Sequence, residues 1–302
     1  MLPTLGAARL PSDGTYATLR VRGANATVSV GGTTVAVPSL ADIETAAWRP
    51  VRRLCAVSGG RVITAYLDDL HPFRSYPGLV LPDTEVAAWA EAFSGAWDLL
   101  VREHRGHAVG LPGGLTSLVP LARADGMHRS ATCPESFGAM ALSFTPDPVV
   151  LAATLVHEFQ HTKLGALLDL VPLHRAGLRK LFYAPWREEP RPLEALLHGT
   201  YAFLVVSGFW RVQRRVSAGA AAEHAHLQFA LWRGRAHAAT TTLRASGLLT
   251  EAGERFVAGM AVTLEAWLLD EVPPTPVRRA AEVAVRSHPV APTPPAPRRR
   301  RP

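Results

Sequence analysis

The sequence predicts an α+β chain: short antiparallel strands first, then a sheet leading into one buried motif helix, then a helical C-terminal half. Three observations predict it. Residues 15–67 alternate apolar and polar side chains between glycine turns, the two-residue period of strands. Residues 149–170 run without a breaker until Pro172 and carry His157, Glu158 and His161. Across residues 193–271 apolar positions recur at helical spacing, with Gly247 as the main interruption before Pro273-Pro274.

The first strands form a meander. Within residues 15–38, Tyr16, Thr18, Arg20 and Arg22 alternate with Leu19 and Val21, and Thr27 and Ser29 alternate with Val28 and Val30. Gly31-Gly32 turns the chain into residues 33–37. A second strand pair, 52–57 and 61–67, is joined by Ser58-Gly59-Gly60. Asp68-Asp69-Leu70-His71-Pro72-Phe73-Arg74 reads as a solvated polar loop. Asp83 is placed to cap a helix over residues 84–104, whose Val86, Trp89, Ala90, Phe93 and Trp97 mark its core face. Extended segments 116–121 and 128–145, the latter interrupted near 134–138, lead to the motif helix. Strands in that place suit a zincin-like layout, in which the sheet supports the helix and its edge can hold an extended peptide.

Beyond the motif, residues 187–192 form a charged, proline-bounded entry to a helix over 193–215. A third long helix over 218–246 stops at Gly247, Thr250 caps a fourth through 271, and a short amphipathic helix occupies 277–287. The domain reading is a β-rich region 1–75, a metal-binding catalytic region 76–288 continuous with it, and a Pro/Arg tail 289–302 whose composition argues for disorder.

Composition narrows the partners. At 302 residues and 48% hydrophobic content, the chain can bury a substantial core. It carries a formal charge of +7, part of it in Arg298-Arg299-Arg300-Arg301. No helix-turn-helix, zinc knuckle or aromatic-basic interleaving points to nucleic acid, and an acidic peptide suits the charge as well. Cys55 and Cys133 lie far apart and outside any CxxC spacing, so neither a disulfide framework nor a cysteine zinc site is implied. The start lacks the pattern of a signal peptide, and the apolar stretch near 201–210 is too short to span a bilayer. A soluble, cytoplasmic protein without a membrane partner is expected.

The chemistry concentrates in His157-Glu158-Phe159-Gln160-His161. Asp147 can cap the helix and Pro148 suits its first position. His157 and His161 then stand one turn apart on one face, so both imidazoles can reach one ion. Glu158 lies about 100° round the helix, within reach of a group bound to that ion. Leu155, Val156, Leu164, Leu167 and Leu168 make the helix too apolar for a surface, so its polar groups need partners. A metal supplies one; the plainer alternative is a pair of buried histidines bonded to backbone or carboxylates. A third ligand must come from elsewhere, and the following helix offers Glu194 and His198. Glu194 would give two His and a carboxylate, the thermolysin type of zinc site. His198, deep in an apolar run with Gly199 leaving room beside it, would give three His and is the preferred candidate.

Residues 155–164, Ala166-Leu167-Leu168-Asp169, Arg191-Pro192 and Leu197-His198-Gly199 together resemble the HExxH-type peptide β-hydroxylases that mature ribosomally made peptides. The same domain occurs behind some radical SAM maturases of the FxsB type. Asp69-Leu70-His71-Pro72-Phe73-Arg74 and Ser136-Phe137-Gly138 fit the same pattern, so the likeness spans residues 71–199. No CxxxCxxC motif is present, so the chain is similar to the HExxH part standing alone.

The resemblance implies a non-haem Fe(II) dioxygenase that consumes 2-oxoglutarate and oxygen to hydroxylate a precursor peptide. Partners would be that peptide and other maturation enzymes of its pathway. Fe(II) held by His157, His161 and His198 would keep three positions for the oxo-acid and oxygen. Most such oxygenases use two His and one carboxylate, a set that Glu194 would restore and that zinc would suit equally. Arg191 is placed to hold the distal carboxylate of 2-oxoglutarate, with Lys163 as a second candidate; either also fits a solvated surface. Glu158 would be the base in a hydrolase, or would orient a ligand in an oxygenase. Tyr201 could enter the same cavity or simply pack. Two other functions stay open: a zinc-dependent metallopeptidase of gluzincin-like type, with Glu158 as base and Glu194 as ligand, and a non-catalytic peptide-binding module.

Overall fold

Paired glycines close two of the N-terminal hairpins, because their positive φ matches turns that side chains resist. The computed structural model describes Leu2 and residues 5–11, 16–38, 44–70, 81–122, 128–133, 136–175 and 180–287. Strand β1 (Gly6–Ala8) pairs antiparallel with β5 (Trp48–Pro50). Between them β2 (Thr18–Arg22), β3 (Asn25–Val30) and β4 (Thr33–Val37) form the expected meander, Gly31 and Gly32 at φ 51° and 84° joining the last two. The β1–β5 ladder was not foreseen, since three-residue strands carry no period to read.

The larger sheet has the order β6-β7-β8-β10-β9. Its members are β6 (Arg52–Ser58), β7 (Arg61–Leu67), β8 (Ser117–Leu121), β9 (Ser130–Thr132) and β10 (Ala139–Ser143). β8 runs parallel to both β7 and β10, while β6 and β9 are antiparallel edges. Helix α1 (Asp83–Glu103) packs on this sheet with Trp89, Phe93, Trp97 and Leu100 buried. Leu54, Ala56, Ile63, Ala65 and Leu67 are the buried side chains of β6 and β7. Burying three large aromatics stabilises this layer by several kcal/mol, at about 1.5–3 kcal/mol each.

Two local expectations are corrected. Asp83 does not cap α1: Pro82 occupies the cap and Asp83 is the first helical residue, its carboxylate accepting from Arg52 Nη1 at 3.0 Å. A negative charge still sits in the first turn, where the helix dipole favours it. Nor is Asp69 solvated. Its side chain is fully buried, paired with Arg52 and accepting from the Leu81 amide at 2.9 Å, so it ties the end of β7 to the start of α1. His71, Pro72, Phe73 and Arg74 lie outside the described residues.

A short helix, α2 (Arg105–Gly110), and a 3-10 turn at Leu111–Gly113 lead into β8. After β10 comes the motif helix α3 (Pro148–Leu170). The chain divides into two compact units, Met1–Thr162 and Lys163–Pro302, the boundary falling within α3.

In the second unit, β11 (Leu181–Phe182) pairs with β12 (Arg191–Pro192), a two-residue ladder below the reach of sequence periodicity. Four helices follow: α4 (Leu193–Val216), α5 (Gly219–Ala245), α6 (Glu251–Leu268) and α7 (Pro274–Ser287). Thr250 caps α6 as expected, accepting from the Gly253 amide at 3.1 Å. Gly253 must stay glycine, since an added Cβ would lie 1.8 Å from the Leu173 carbonyl oxygen. The core here joins Leu164, Leu173, Leu196, Leu197, Leu243 and Val257. At the far end of α6, Asp270 accepts from Arg211 and Arg214 of α4, while Arg233 of α5 donates to the carbonyls of Trp267 and Asp270. Cations thus meet the carbonyl end of the helix, where its dipole attracts them.

Helix α4 contains the apolar stretch read as too short for a bilayer. The whole helix has 24 residues and meets length and composition criteria for crossing a membrane, yet 56% of its apolar window is buried. Residues 289–302, read as a disordered tail, lie outside the described residues.

Phe159 fixes the rotation of α3 in the first unit. Its ring lies against Gly110 and Gly114, and a Cβ on Gly114 would stand 2.3 Å from the ring. Gly114→Ala is expected to cost about 1–3 kcal/mol, as overpacking of a core does. Urea denaturation reads this, and an unchanged midpoint refutes the anchoring role of Phe159.

Candidate metal centre

Helix α3 begins as its sequence requires. Asp147 Oδ1 accepts from the amide of Val149 at 2.8 Å and of Val150 at 3.4 Å, with Pro148 in the first position. Leu151, Ala152, Leu155 and Val156 are buried, as the apolar composition predicts.

One turn of helix brings the two motif imidazoles together. His157 Nε2 and His161 Nε2 are 3.2 Å apart, with ring centroids at 4.9 Å and ring planes at 75°. Two imidazole nitrogens bound ~2.0–2.1 Å from one tetrahedral ion stand ~3.3 Å apart. The pair therefore fits two ligands of a single cation. Burial holds His157 down at about 3, with the neighbouring His161 adding to the shift, and burial holds His161 at about 4. Both rings are thus neutral near pH 7, the form in which imidazole binds a metal.

Glu158 lies beside them. Its carboxylate is 2% exposed, with Oε1 3.9 Å from His157 Nε2. Burial raises its pKa, and hydrogen bonds from Thr132 and Ser130 oppose that rise. Both donors come from β9, the antiparallel edge of the sheet. A second polar contact lies one turn back, where Thr154 Oγ1 is 3.0 Å from His128 Nε2 and His128 Nδ1 is 3.2 Å from Ser143 Oγ. Thr154, Glu158 and Thr162 recur every fourth residue as a buried polar stripe; the first meets His128, ahead of β9, and the second meets β9 itself.

None of the sheet residues was singled out from the sequence. Residues 128–145 were read as supporting strands without roles. The available signal was the stripe itself, since polar side chains on a buried face need donors opposite them.

The remaining candidates lie in the second unit. His198 is half-buried on α4. The room expected beside it at Gly199 is filled: a Cβ there would be 2.5 Å from the Trp186 indole. That indole continues into Phe203 at 4.8 Å, which stacks on Trp232 at 4.0 Å. Glu194 is exposed, its carboxylate 3.4 Å from His174 Nε2. Arg191 sits on β12, its backbone paired with Phe182. Lys163 lies over the Tyr201 ring at 5.8 Å, and burial lowers its pKa. Tyr201 also packs on Phe256, at 5.4 Å between ring centroids. Cys55 and Cys133 are exposed and form no disulfide among the described residues. Among the described residues, no group of three or more His, Cys, Asp or Glu side chains is gathered closely enough to hold a metal ion. No protein-family model matches the chain, and no curated protein matches it.

Two predictions follow from this geometry. Thr132→Val leaves the buried carboxylate of Glu158 short of a donor and is expected to cost about 1–3 kcal/mol. Thr132→Ser, which keeps the hydroxyl, should recover most of it in the same denaturation assay; equal loss in both variants would dismiss the hydrogen bond as the cause. The second concerns pH. His157, His161 and His104 all fall from 6.5 to about 4 or below, His104 chiefly by burial. Between pH 6.5 and about 4 the unfolded chain binds more protons, so stability rises with pH and is lost as pH falls through that window. Glu158, with a raised pKa, acts in the opposite sense, but as one group against three. Metal-free protein should show a lower urea midpoint at pH 5 than at pH 7.5, and a midpoint insensitive to that change contradicts the neutral imidazoles.

Proposed function

We propose that the chain is a non-haem iron, 2-oxoglutarate-dependent hydroxylase acting on a β-carbon of a ribosomally made precursor peptide. The observation that carries the metal is the 3.2 Å separation of two imidazoles that burial keeps neutral. The reaction class rests on the resemblance across residues 71–199. When bound, Fe(II) with 2-oxoglutarate and oxygen supplies the oxidant: one oxygen atom enters the peptide C–H bond, and 2-oxoglutarate leaves as succinate and carbon dioxide.

The residues of this chain have separate tasks in that reading. His157 and His161 hold the cation, and His198 is proposed as the third ligand, with Glu194 as the alternative. Glu158, fixed by β9, offers a buried carboxyl beside the ligand pair, to orient a ligand or to hold the substrate backbone. The Arg191 side chain makes no hydrogen bond or ion pair among the described residues, which suits a guanidinium reserved for a small dicarboxylate. Lys163 is the weaker choice for that role, being engaged with Tyr201. The proposed setting is the cytoplasm, with the precursor peptide and its other maturation enzymes as partners.

A second reading is favoured by one observation. A buried carboxyl with a raised pKa beside the ligand pair is also what a general base needs, as in a zinc-dependent peptidase. One experiment separates them. Purified protein is incubated aerobically with Fe(II), 2-oxoglutarate and a co-encoded peptide, and separately with zinc alone. The hydroxylase reading expects succinate and a peptide heavier by one oxygen atom, lost in His157→Ala and His198→Ala along with bound iron. Cleaved peptide without 2-oxoglutarate, abolished by Glu158→Gln with zinc retained, would establish the peptidase instead.

A further inference from the structure

Strand β2 uses one of its two sides. It is exposed at all five residues and, among the described residues, pairs with β3 alone. Arg22 faces Asn25 across the two-residue turn Gly23-Ala24, with Gly23 at φ 58°. The pair flanking such a turn exchanges both backbone hydrogen bonds, and the pattern alternates from there. Thr18, Arg20 and Arg22 therefore direct their N–H and C=O groups to β3. Leu19 and Val21 direct theirs to the open side, a row that can template another strand.

The side chains alternate as well. Leu19 and Val21 share a face with Val28 and Val35, yet they are 50% and 63% exposed where those two are 8% and 5%. Arg20 and Arg22 occupy the opposite face, across from Thr27 and Asn25. No acidic side chain stands in register with them on β3 or β4, and neither forms an ion pair among the described residues.

We propose that β2 is a docking edge for an extended acidic peptide segment, added as a fourth strand. Main-chain bonds to Leu19 and Val21 would hold it, its apolar side chains would cover those two residues, and its carboxylates would face Arg20 and Arg22. Charge selects this occupant over a second copy of the chain. Antiparallel self-pairing of β2 would bring the arginines of both copies onto one face, and like charges across a ladder repel. The segment's biological role rests on the peptide-substrate reading above: it is a recognition stretch of the precursor.

The test uses the full chain and a fluorescent synthetic peptide alternating glutamate with valine or threonine, against one with lysine in place of glutamate. Anisotropy should show the acidic peptide binding at least about tenfold tighter. The double variant Arg20→Glu, Arg22→Glu should invert that order. Val21→Pro removes the outward N–H, which an edge strand tolerates, together with one covered apolar side chain, and should weaken binding about tenfold with circular dichroism and thermal midpoint unchanged. Equal binding of the two peptides, no effect of the arginine double variant, or a dimer in sedimentation that β2 substitutions dissociate would overturn the proposal. Hydroxylation is scored separately. Acidic-peptide binding without turnover keeps the edge and removes the hydroxylase; turnover of a precursor that no β2 variant alters removes the edge and keeps the hydroxylase.

Discussion

The constraint on which the candidate centre depends is the burial of a carboxyl group on a helix that is otherwise apolar. Glu158 at 2% exposure cannot sit in such a place without donors, and β9 supplies two. Everything near the motif is arranged around that need. The sheet ends in an antiparallel edge short enough to carry Ser130 and Thr132. Phe159, one residue on, wedges against two glycines and stops the helix from rotating the carboxyl away. The two imidazoles face each other because they stand one turn apart on that helix.

The same helix shows how composition and site are linked. A surface helix could carry two histidines with ordinary pKa values, and they would be protonated below pH 6.5. Here burial disfavours the charged form, so the rings keep lone pairs at physiological pH. The apolar residues that make the helix a core element thus also keep its histidines neutral.

Much of this was legible in the sequence, for physical reasons. Long periodic segments and glycine turns announce themselves: the meander, the β6–β7 hairpin, α1 and the four C-terminal helices lie where pattern places them. What escaped has no pattern to carry it. The β1–β5 and β11–β12 ladders are too short to alternate. Asp69 looked like a loop residue because nothing local tells a solvated aspartate from one whose partner, Arg52, lies 17 positions back. Gly199 was read as space for a histidine, when the backbone approach belongs to Trp186, 13 residues upstream. In the motif, His157, Glu158 and His161 were evident from spacing alone. Ser130 and Thr132 were not, since strand edges recruit partners through tertiary geometry.

The corner at Asp270 has a consequence for how this chain can drift in evolution. A single carboxylate there faces Arg211, Arg214 and Arg215, with Arg233 donating to its backbone carbonyl. Any one arginine is partly redundant, because the others still neutralise the acid. Among the described residues no second acid meets these arginines: without Asp270, the cations face one another uncompensated. Neutral changes can therefore accumulate among the arginines while the aspartate stays locked, an asymmetric ratchet set by the count of opposite charges.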